Sequence, residues 1–336
     1  MRQNGTFIVS SRDLWRSIVR RPSGRWGLSL LGVLVFVALS ADFLASDKPL
    51  CASLGGRLYL LSNLRSPAAL QADTNQSLLE RMDETDWLVP PLIAWGPNEH
   101  DKGETPLAPP STRHFLGTDS ARRDVLARLI HGSRISLLVG LLSVAIYVTL
   151  GTLLGLCAGY FGGFVDAVIS RATEAVIALP TLFLVLAVMG VVEQAGVGAL
   201  VLVIGLVYWT RVARLVRAET LRLKAMEFIT AAEALGFSTR RIMFRHVLPN
   251  ALGPVLVTAT FGMASAILME ASLSFLGFGT PDSTASWGGL LHGAMGHFQA
   301  WWLVIFPGAA TFLTVMGYNL LGEALRDVLD PRLRHE

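Results

Sequence analysis

Residues 228–250 have the sequence FITAAEALGFSTRRIMFRHVLPN, and this stretch decides the fold assignment. Its first half predicts a short helix, in which Ala231, Ala232, Ala234 and Leu235 form a turn of mostly small residues. Gly236 suits the left-handed position that commonly ends a helix, and Ser238 can cap a second helix after it. The second helix carries three arginines, Arg240, Arg241 and Arg245. It is expected to stop before Pro249, because proline cannot continue the hydrogen bonding of a helix.

The segment around this stretch is more elaborate than a connection requires. Residues 217–252 lie between two apolar runs and contain their own capping signals, whereas most connections between helices are short. Small side chains allow another backbone to approach closely. We therefore expect the short helix to dock into a groove of another protein, while a plain connecting loop is the alternative.

The composition indicates a membrane protein. Charged residues make up 16% of the 336 residues, against about 25% in soluble globular proteins. The apolar set AVILMFWYC reaches 52%, and the mean hydropathy is +0.51. A soluble chain of this composition would have too little polar surface, so part of its solvent is expected to be lipid. The composition excludes disordered and disulfide-scaffold proteins, and a net charge of only +3 does not indicate nucleic-acid binding.

Six apolar segments predict an all-α integral membrane protein. A helix of about 20 residues spans the roughly 30 Å of a bilayer core. The segments that approach or exceed this length are Trp26–Ser46, Ile135–Tyr160, Ala172–Val192, Ala199–Val216, Pro254–Phe275 and Trp301–Leu321.

The N-terminal residues 1–25 carry six arginines, which are Arg2, Arg12, Arg16, Arg20, Arg21 and Arg25. They predict a basic amphipathic helix on the inner membrane surface, with an unstructured basic tail as the alternative. A cleaved signal peptide is the alternative to a permanent first span, but the further spans downstream favour the span. In either case the arginines place the N-terminus in the cytoplasm.

The loops between the apolar segments alternate between basic and non-basic, as expected if the chain crosses the membrane six times. The loop 217–252 carries Arg217, Arg222, Lys224, Arg240, Arg241 and Arg245. The C-terminal tail carries Arg326, Arg332 and Arg334. In contrast, residues 193–198 and 277–300 contain no Lys or Arg. Because basic residues are retained in the cytoplasm, this distribution predicts that both termini are cytoplasmic.

Residues 47–131 form a polar, proline-rich insert in which no stretch is long enough to span a membrane. After a single crossing this insert is expected on the extracytoplasmic side, as an irregular lobe with a few short elements. The predicted division is a basic cytoplasmic tail at 1–25, a first span at 26–46, a periplasmic insert at 47–131, a five-helix core at 132–322 with the loop 217–252, and a cytoplasmic tail at 323–336.

The sequence lacks the motifs of a catalytic protein. None of its three lysines follows a glycine and precedes Ser or Thr, so the chain carries no nucleotide-binding P-loop. The seven histidines show no metal-ligand spacing, and neither G-x-S-x-G nor H-E-x-x-H occurs. We therefore predict no catalytic residue and no metal site in this chain.

Two carboxylates lie in or near apolar segments, where charge is costly and often functional. Glu174 either lines a transport path or pairs with Arg171 at the membrane surface. Pro180 predicts a bend beside a cavity, or else a tolerated kink. Glu270 is expected to line a cavity or to bond to Ser272 or a neighbouring helix. Glu174, Pro180, Glu270 and Ser272 are the candidates for the translocation path.

The stretch 228–250 resembles the cytoplasmic EAA loop of ABC importer permeases. The residues that match the family pattern in register are Ala231, Ala232, Gly236, Leu248 and Pro249, and Thr230 replaces the family's leading Glu. The ALG at 234–236 and the RHVLPN at 245–250 are typical of the dipeptide, oligopeptide and nickel branch.

Three further stretches resemble the second, or C-type, permease of that branch. They are FLGTDSARRDVLARLIHGSRISLLVG at 115–140, EASLSFLGFGTPDSTASWGGLL at 270–291 and GEALRDVLDPRLR at 322–334. Arg122 stands where the family usually has Gly, so that turn could differ. The resemblance covers residues 113–336 and the first span, and the insert at 47–112 looks most like the Yej-type oligopeptide and microcin C permeases.

The resemblance implies a type I ABC importer (MetI-like) permease of the bacterial inner membrane. Its partners would be a second permease, cytoplasmic ABC ATPases, a substrate-binding protein on the outer face, and membrane lipid. ATP and Mg²⁺ would be bound by the ATPase, and this chain would hold no cofactor. The insert would contact the binding protein or gate entry. The residues expected to couple to the ATPase are Thr230, Ala231, Ala232, Ala234, Leu235, Gly236, Arg240, Arg245, His246, Leu248, Pro249 and Asn250.

The expected substrates are peptides, with nickel and glutathione as alternatives within the same branch. A secondary transporter or channel is a rival interpretation. The projecting loop and the absence of an inverted repeat in the sequence argue against it. A membrane-bound enzyme would need a polar cluster at one membrane face, and the sequence indicates none.

Overall fold

The computed structural model of the chain describes residues 11–65, 67, 70–71, 73–83, 85–192 and 196–329. Predictions that concern Arg2, Arg332 and Arg334 therefore lie outside the described residues. The first half of the described chain contains α1 (Ser11–Arg20), α2 (Pro22–Leu39), α3 (Ala41–Leu44), β1 (Cys51–Leu54), β2 (Arg57–Leu60), α4 (Ser62–Arg65), α5 (Asn75–Arg81), β3 (Trp87–Val89) and α6 (Val125–Phe161). The second half contains α7 (Gly163–Ile177), α8 (Thr181–Val191), α9 (Val197–Lys224), α10 (Glu227–Ala234), α11 (Thr239–Ile242), a π-helical turn (Met243–Val247), α12 (Leu248–Phe275), α13 (Trp287–Gly293) and α14 (Trp302–Leu329).

Five helices within the described chain are long and apolar enough to cross a membrane, and a bent helix pair could supply a sixth crossing. The five are α2, α6, α9, the continuous run Thr239–Phe275 and α14. The helix ends differ from the predicted segments at several places, and two of these differences have a clear local cause. The first helix ends at Leu39 instead of Ser46. The Ser40 hydroxyl donates a hydrogen bond to the Phe36 carbonyl at 2.6 Å, and α3 starts as a separate helix. The second begins at Val125 instead of Ile135, because Asp124 caps it.

The predicted third span, Ala172–Val192, is not one continuous helix. α7 and α8 meet at 88°. Pro180 causes the break, because it has no N–H and disfavours helical backbone at Leu179. The number of crossings therefore depends on this pair, and six remains a prediction. α6 and α9 pack in parallel. The α7–α8 segment must therefore bring the chain back across the membrane to the start of α9, and this supports six crossings.

The most extensive contact of the fold joins α6 to α9. Three glycines at every fourth position of α6 face this contact, namely Gly151, Gly155 and Gly159. A Cβ atom on Gly155 would lie 2.5 Å from the Ala213 carbonyl oxygen, and one on Gly151 would lie 2.6 Å from the Trp209 carbonyl oxygen. The two backbones therefore touch along this glycine ridge, as small residues permit in membrane helices.

A second close contact joins α2 to α14. A Cβ atom on Gly27 would lie 2.8 Å from the backbone nitrogen of Leu321. At the end of this contact Arg21 forms an ion pair with Asp327. α1 is helical as predicted, and its Ile18 is buried against α14. The N-terminal elements are thus attached to the last helix.

Among the residues that the structure describes, the insert contributes three strands to a fold that is otherwise mostly helical. The strands form an antiparallel sheet in the order β2-β1-β3, with Cys51 opposite both Leu60 and Val89. The sheet follows α3 after six residues, so it lies close to the end of α2. The end of α2 that leads into the insert is called the insert side below, and the opposite end of α6 and α9 is called the loop side.

The glycine ridge predicts that a single methyl group at Gly155 destabilises the fold. Gly155→Ala places carbon against a backbone carbonyl, and such overpacking costs about 1–3 kcal/mol. Thermal unfolding of the purified chain in detergent measures the loss as a lower Tm.

The matched control is Gly308→Ala in α14, where a new Cβ atom meets no other atom within 4 Å. Its Tm should stay unchanged or rise slightly, because alanine favours helix over glycine. An equal loss in both variants would contradict close contact between α6 and α9.

Candidate coupling loop and the ion-pair network of the insert

The predicted docking helix is present as α10, a helix of eight residues that follows α9 after only two residues. Ile229 and Ala232 are buried on the side that faces the rest of the chain. Most of the other small residues on it are exposed, and Leu235 at its end is 73% exposed. α10 therefore presents small side chains and one leucine to the surroundings while two residues attach it to the fold.

The turn after α10 has the geometry that the sequence predicts. Gly236 has φ of +74°, the left-handed conformation that costs an ordinary residue free energy. Its N–H donates to the Glu233 carbonyl at 2.9 Å, and the Phe237 N–H donates to the Ala232 carbonyl at 3.1 Å. This pair of hydrogen bonds is a Schellman motif, which closes the end of a helix.

Aromatic stacking holds this turn against the next helix. The Arg241 guanidinium carbon lies 3.9 Å from the centre of the Phe237 ring. On another side, the Phe237 and His246 rings stack with their centres 5.8 Å apart. The turn is therefore attached to α11 and to the π-helical segment before α12 through Phe237, a residue that the sequence analysis did not single out.

The prediction that the second helix stops before Pro249 was wrong. α11, the π-helical turn and α12 follow one another without a break from Thr239 to Phe275. The π turn is wider than an α-helical turn, and in it the Leu248 N–H donates to the Met243 carbonyl. Pro249 then falls in the first turn of α12, where its missing N–H is tolerated. The Asn250 side chain donates to the His246 carbonyl at 2.6 Å. The loop 217–252, which is the predicted coupling loop, thus leads directly into a long helix.

The remaining predicted coupling residues are distributed along this run. Ser238 precedes α11 but makes no side-chain capping bond. Arg240 and Arg245 are exposed, whereas His246 and Leu248 are half-buried. The exposed residues near the turn are Thr230, Ala231, Ala234, Leu235 and Gly236.

The four candidates for the translocation path lie in separate places and form no hydrogen bond to one another within the described ranges. Glu174 pairs with Arg171 at 2.7 Å, with both side chains mostly exposed. Pro180 begins α8 at the bend. Glu270 is fully buried and accepts hydrogen bonds from Ser274 at 2.9 Å and, from α6, Ser136 at 3.1 Å. Ser272 is exposed and donates to its own helix.

A cavity of about 370 Å³ opens beside the bent helix pair. Thr173, Glu174 and Ile177 line it from α7. Arg214 and Arg217 line it from α9, and Arg217 also binds Asp166 of α7. Of the four candidates, only Glu174 reaches this cavity.

A buried cluster on the insert side was not predicted. His114 is fully buried between Asp124, at 2.8 Å from Nδ1, and Asp101, at 3.2 Å from Nε2. Trp95 packs on the histidine ring with a centre-to-centre distance of 4.7 Å. Two carboxylate acceptors require both ring nitrogens to donate, so the arrangement holds His114 as a cation. Burial alone would lower the pKa of His114, but the hydrogen bonds to Asp124 and Asp101 outweigh burial and raise the pKa.

A second group of ion pairs connects the start of α6 with the loop after α12. Arg123 donates to Asp119 at 2.7 Å and to Asp282 at 2.9 Å. Arg128 is 2% exposed and donates to the backbone of both Pro97 and Asp282. The stretch that resembles the family's LGTDxxGRDVLSR pattern therefore joins the insert to two helices of the core.

Arg122, which replaces the usual glycine in that pattern, has φ of +62°. The turn keeps its left-handed backbone despite the side chain. Motif spacing shows which residues recur, but it cannot show that His114 and Asp101 meet Asp124, because loop folding brings them together.

The His114 cluster predicts a pH-dependent stability. Because the pKa of His114 is raised by folding, its charged form stabilises the fold fully below the unfolded pKa, and this contribution is lost as the pH rises through the raised value. His114→Gln should therefore lower the Tm most in mildly acidic buffer, and its difference from the wild type should narrow in alkaline buffer.

Thermal unfolding across pH measures this difference, and His297→Gln at an exposed loop position is the control. A difference in Tm between the wild type and His114→Gln that widens with rising pH would contradict a cationic His114.

Comparison with known proteins shows the family of this chain. Residues 151–335 match the family model described as "Binding-protein-dependent transport system inner membrane component". The dipeptide transport system permease protein DppC of Alkalihalophilus pseudofirmus is 41% identical over 68% of this chain and 75% of its own length. The oligopeptide transport system permease protein OppC of Bacillus subtilis is 37% identical over 67% and 74%.

The inner membrane ABC transporter permease protein YejE of Escherichia coli is 37% identical over 94% of this chain and 96% of its own length. The residues left outside this alignment are far fewer than those of the insert, so the alignment includes most of the insert. Among solved structures, a crystal structure of an amino acid ABC transporter with histidines matches 60% of this chain and 94% of its own, with 19% identity and a TM-score of 0.47. The family model covers more than half of the chain and the relatives are similar over most of their length, so this chain belongs to the binding-protein-dependent inner membrane components, the permeases of ABC transporters.

Proposed function

We propose that this chain is one of two permease subunits in an ATP-driven importer of peptides. The named peptide permeases among its relatives support the substrate class. The second permease would complete the translocation path, and a substrate-binding protein would deliver the peptide at the insert side. Both termini and the coupling loop would lie in the cytoplasm, as the arginine distribution of the loops favours.

The exposed helix α10 is the observation that carries this proposal. It presents small side chains beyond the end of α9, and its Gly236 turn is closed by two backbone hydrogen bonds. A groove of an ATPase subunit would receive this helix. ATP and Mg²⁺ would bind to that ATPase, and this chain would perform no covalent chemistry.

Movement of the ATPases would pass through the turn into α12. The run Thr239–Phe275 has no break, so a displacement at the Phe237 stack would move the whole helix. The hydrogen bond from Ser136 to Glu270 lies where α12 meets α6. ATP would drive transport by favouring one arrangement of these helices over the other.

The finer substrate class would be oligopeptides or a peptide-like molecule such as microcin C. The YejE relative aligns through the insert, which supports this choice over shorter peptides. Nickel and glutathione are the other outcomes to test. Identification of the ligand that co-purifies with the partner binding protein decides between them, and a metal ion or a tripeptide thiol would overturn the oligopeptide assignment.

The bent pair α7–α8 would form part of the translocation path. Glu174 at the cavity, with Arg214 and Arg217 opposite, would offer charged groups to a zwitterionic peptide. Glu270 and Ser272 would act further along α12. The insert would contact the binding protein or control entry.

The coupling proposal predicts a specific defect for Gly236→Leu. A leucine at φ of +74° is strained, and its side chain would project where the ATPase backbone must approach. We expect the variant permease to co-purify with much less ATPase and to lose most substrate uptake.

Gly296→Leu is the matched control, because Gly296 has φ of +82° and equally open surroundings but lies between α13 and α14. It should retain the ATPase. Full ATPase binding and uptake by Gly236→Leu would overturn the coupling role of this turn.

A further inference from the structure

One face of the sheet in the insert is apolar and uncovered. The strand register places Leu58 and Trp87 on either side of Ser53, and Leu60 and Val89 on either side of Cys51. Because side chains alternate along a strand, these six residues share one face. This group is called the sheet face below.

The sheet face is exposed although its side chains are large. Leu58 is 60% exposed, Leu60 is 57% exposed, and Trp87 and Val89 are 46% and 47% exposed. The opposite face turns toward the protein, with Ala52 fully buried. A continuous apolar patch of this kind is unusual on a soluble surface and marks a site of contact with a protein or a membrane.

The sheet face continues toward the membrane-spanning part of the chain. Leu61 and Leu64 follow β2 and are also exposed. The Asn63 side chain, between them, donates to the Asp42 carbonyl of α3 at 2.9 Å. α3 in turn exposes Phe43, and Leu39 is exposed at the end of α2. Exposed apolar side chains therefore lead from the lipid-facing end of a span to the sheet.

The residues of the sheet face and of its surroundings favour lipid as the occupant. Trp87 lies on the sheet face, and tryptophan is enriched at the interfaces of a membrane. Arg65, directly after Leu64, is exposed, and a basic side chain beside apolar ones is suited to the same layer. Arg57 lies opposite Leu54 on the other face of the sheet, so it takes no part in this surface.

We propose that the sheet face lies in the interfacial layer of the bilayer beside the end of α2, in direct contact with phospholipid. The insert is then anchored to the membrane by its own sheet as well as by the two spans that flank it. This inference needs only that α2 spans the membrane, and it is independent of the substrate and of the coupling role of α10.

Fluorescent probes at single cysteines test this arrangement in membrane vesicles that contain the assembled transporter. Cys157→Ser leaves Cys51 on the sheet face as the first site for a nitrobenzoxadiazole label. Leu58→Cys, with both native cysteines replaced by serine, gives a second site. Lys102→Cys in the same background is the control, because Lys102 is exposed in the insert but lies outside the sheet.

Phospholipid that carries a spin label near its headgroup should quench the probes at positions 51 and 58 several-fold more than the probe at position 102. Iodide in the buffer should quench the probe at position 102 more than the probes at positions 51 and 58. Leu60→Glu together with Val89→Glu, which places two charges on the sheet face, should reduce the lipid quenching at position 58.

Two results would overturn the proposal. Strong iodide quenching at all three positions would show that the sheet face is exposed to water. Protection of positions 51 and 58 from both quenchers would show that a protein covers the face, whether the second permease or the binding protein.

Discussion

The backbone contact between α6 and α9 is the constraint on which the rest of the structure depends. Gly151, Gly155 and Gly159 remove the side chains that would hold the two helices apart. Hydrophobic burial cannot drive helix association in lipid, so close packing must supply the attraction. The Lys224 side chain adds a hydrogen bond to the Tyr160 carbonyl at 2.8 Å, where both helices end. We therefore expect the pair to move as one rigid body that connects the insert side with the loop side.

Each end of this rigid body carries one of the features described above. On the insert side, Asp124 caps α6 while it binds His114, and Arg128 reaches the loop after α12. On the loop side, α9 leads within two residues into the exposed helix α10. The bent pair α7–α8 and the long helix α12 pack against these two helices. This division suits a subunit that converts movement at its coupling loop into a change of the path between helices.

Much of the fold and part of the candidate site could be predicted from the sequence, because both depend on local patterns. The left-handed Gly236 and the Arg171–Glu174 pair follow from neighbouring residues and are present. Pro249 was misinterpreted, since a π-helical turn can bring a proline into the first turn of a new helix. The glycine ridge has a sequence signal of its own, three glycines at every fourth position within an apolar segment, and such spacing marks a helix contact in membranes. The His114 cluster and the sheet face had none, because they form through loop folding and strand register.

Spin-label distances in the assembled transporter test the central claim, which is that α6 and α9 move as one body. Leu153 of α6 and Leu206 of α9 are both exposed and tolerate labels. The distance between labels at these positions should change by less than about 2 Å between the ATP-free and ATP-bound states, which is smaller than a one-turn shift of about 5 Å. A change as large as one helical turn would contradict a rigid pair and would place the moving contact within it.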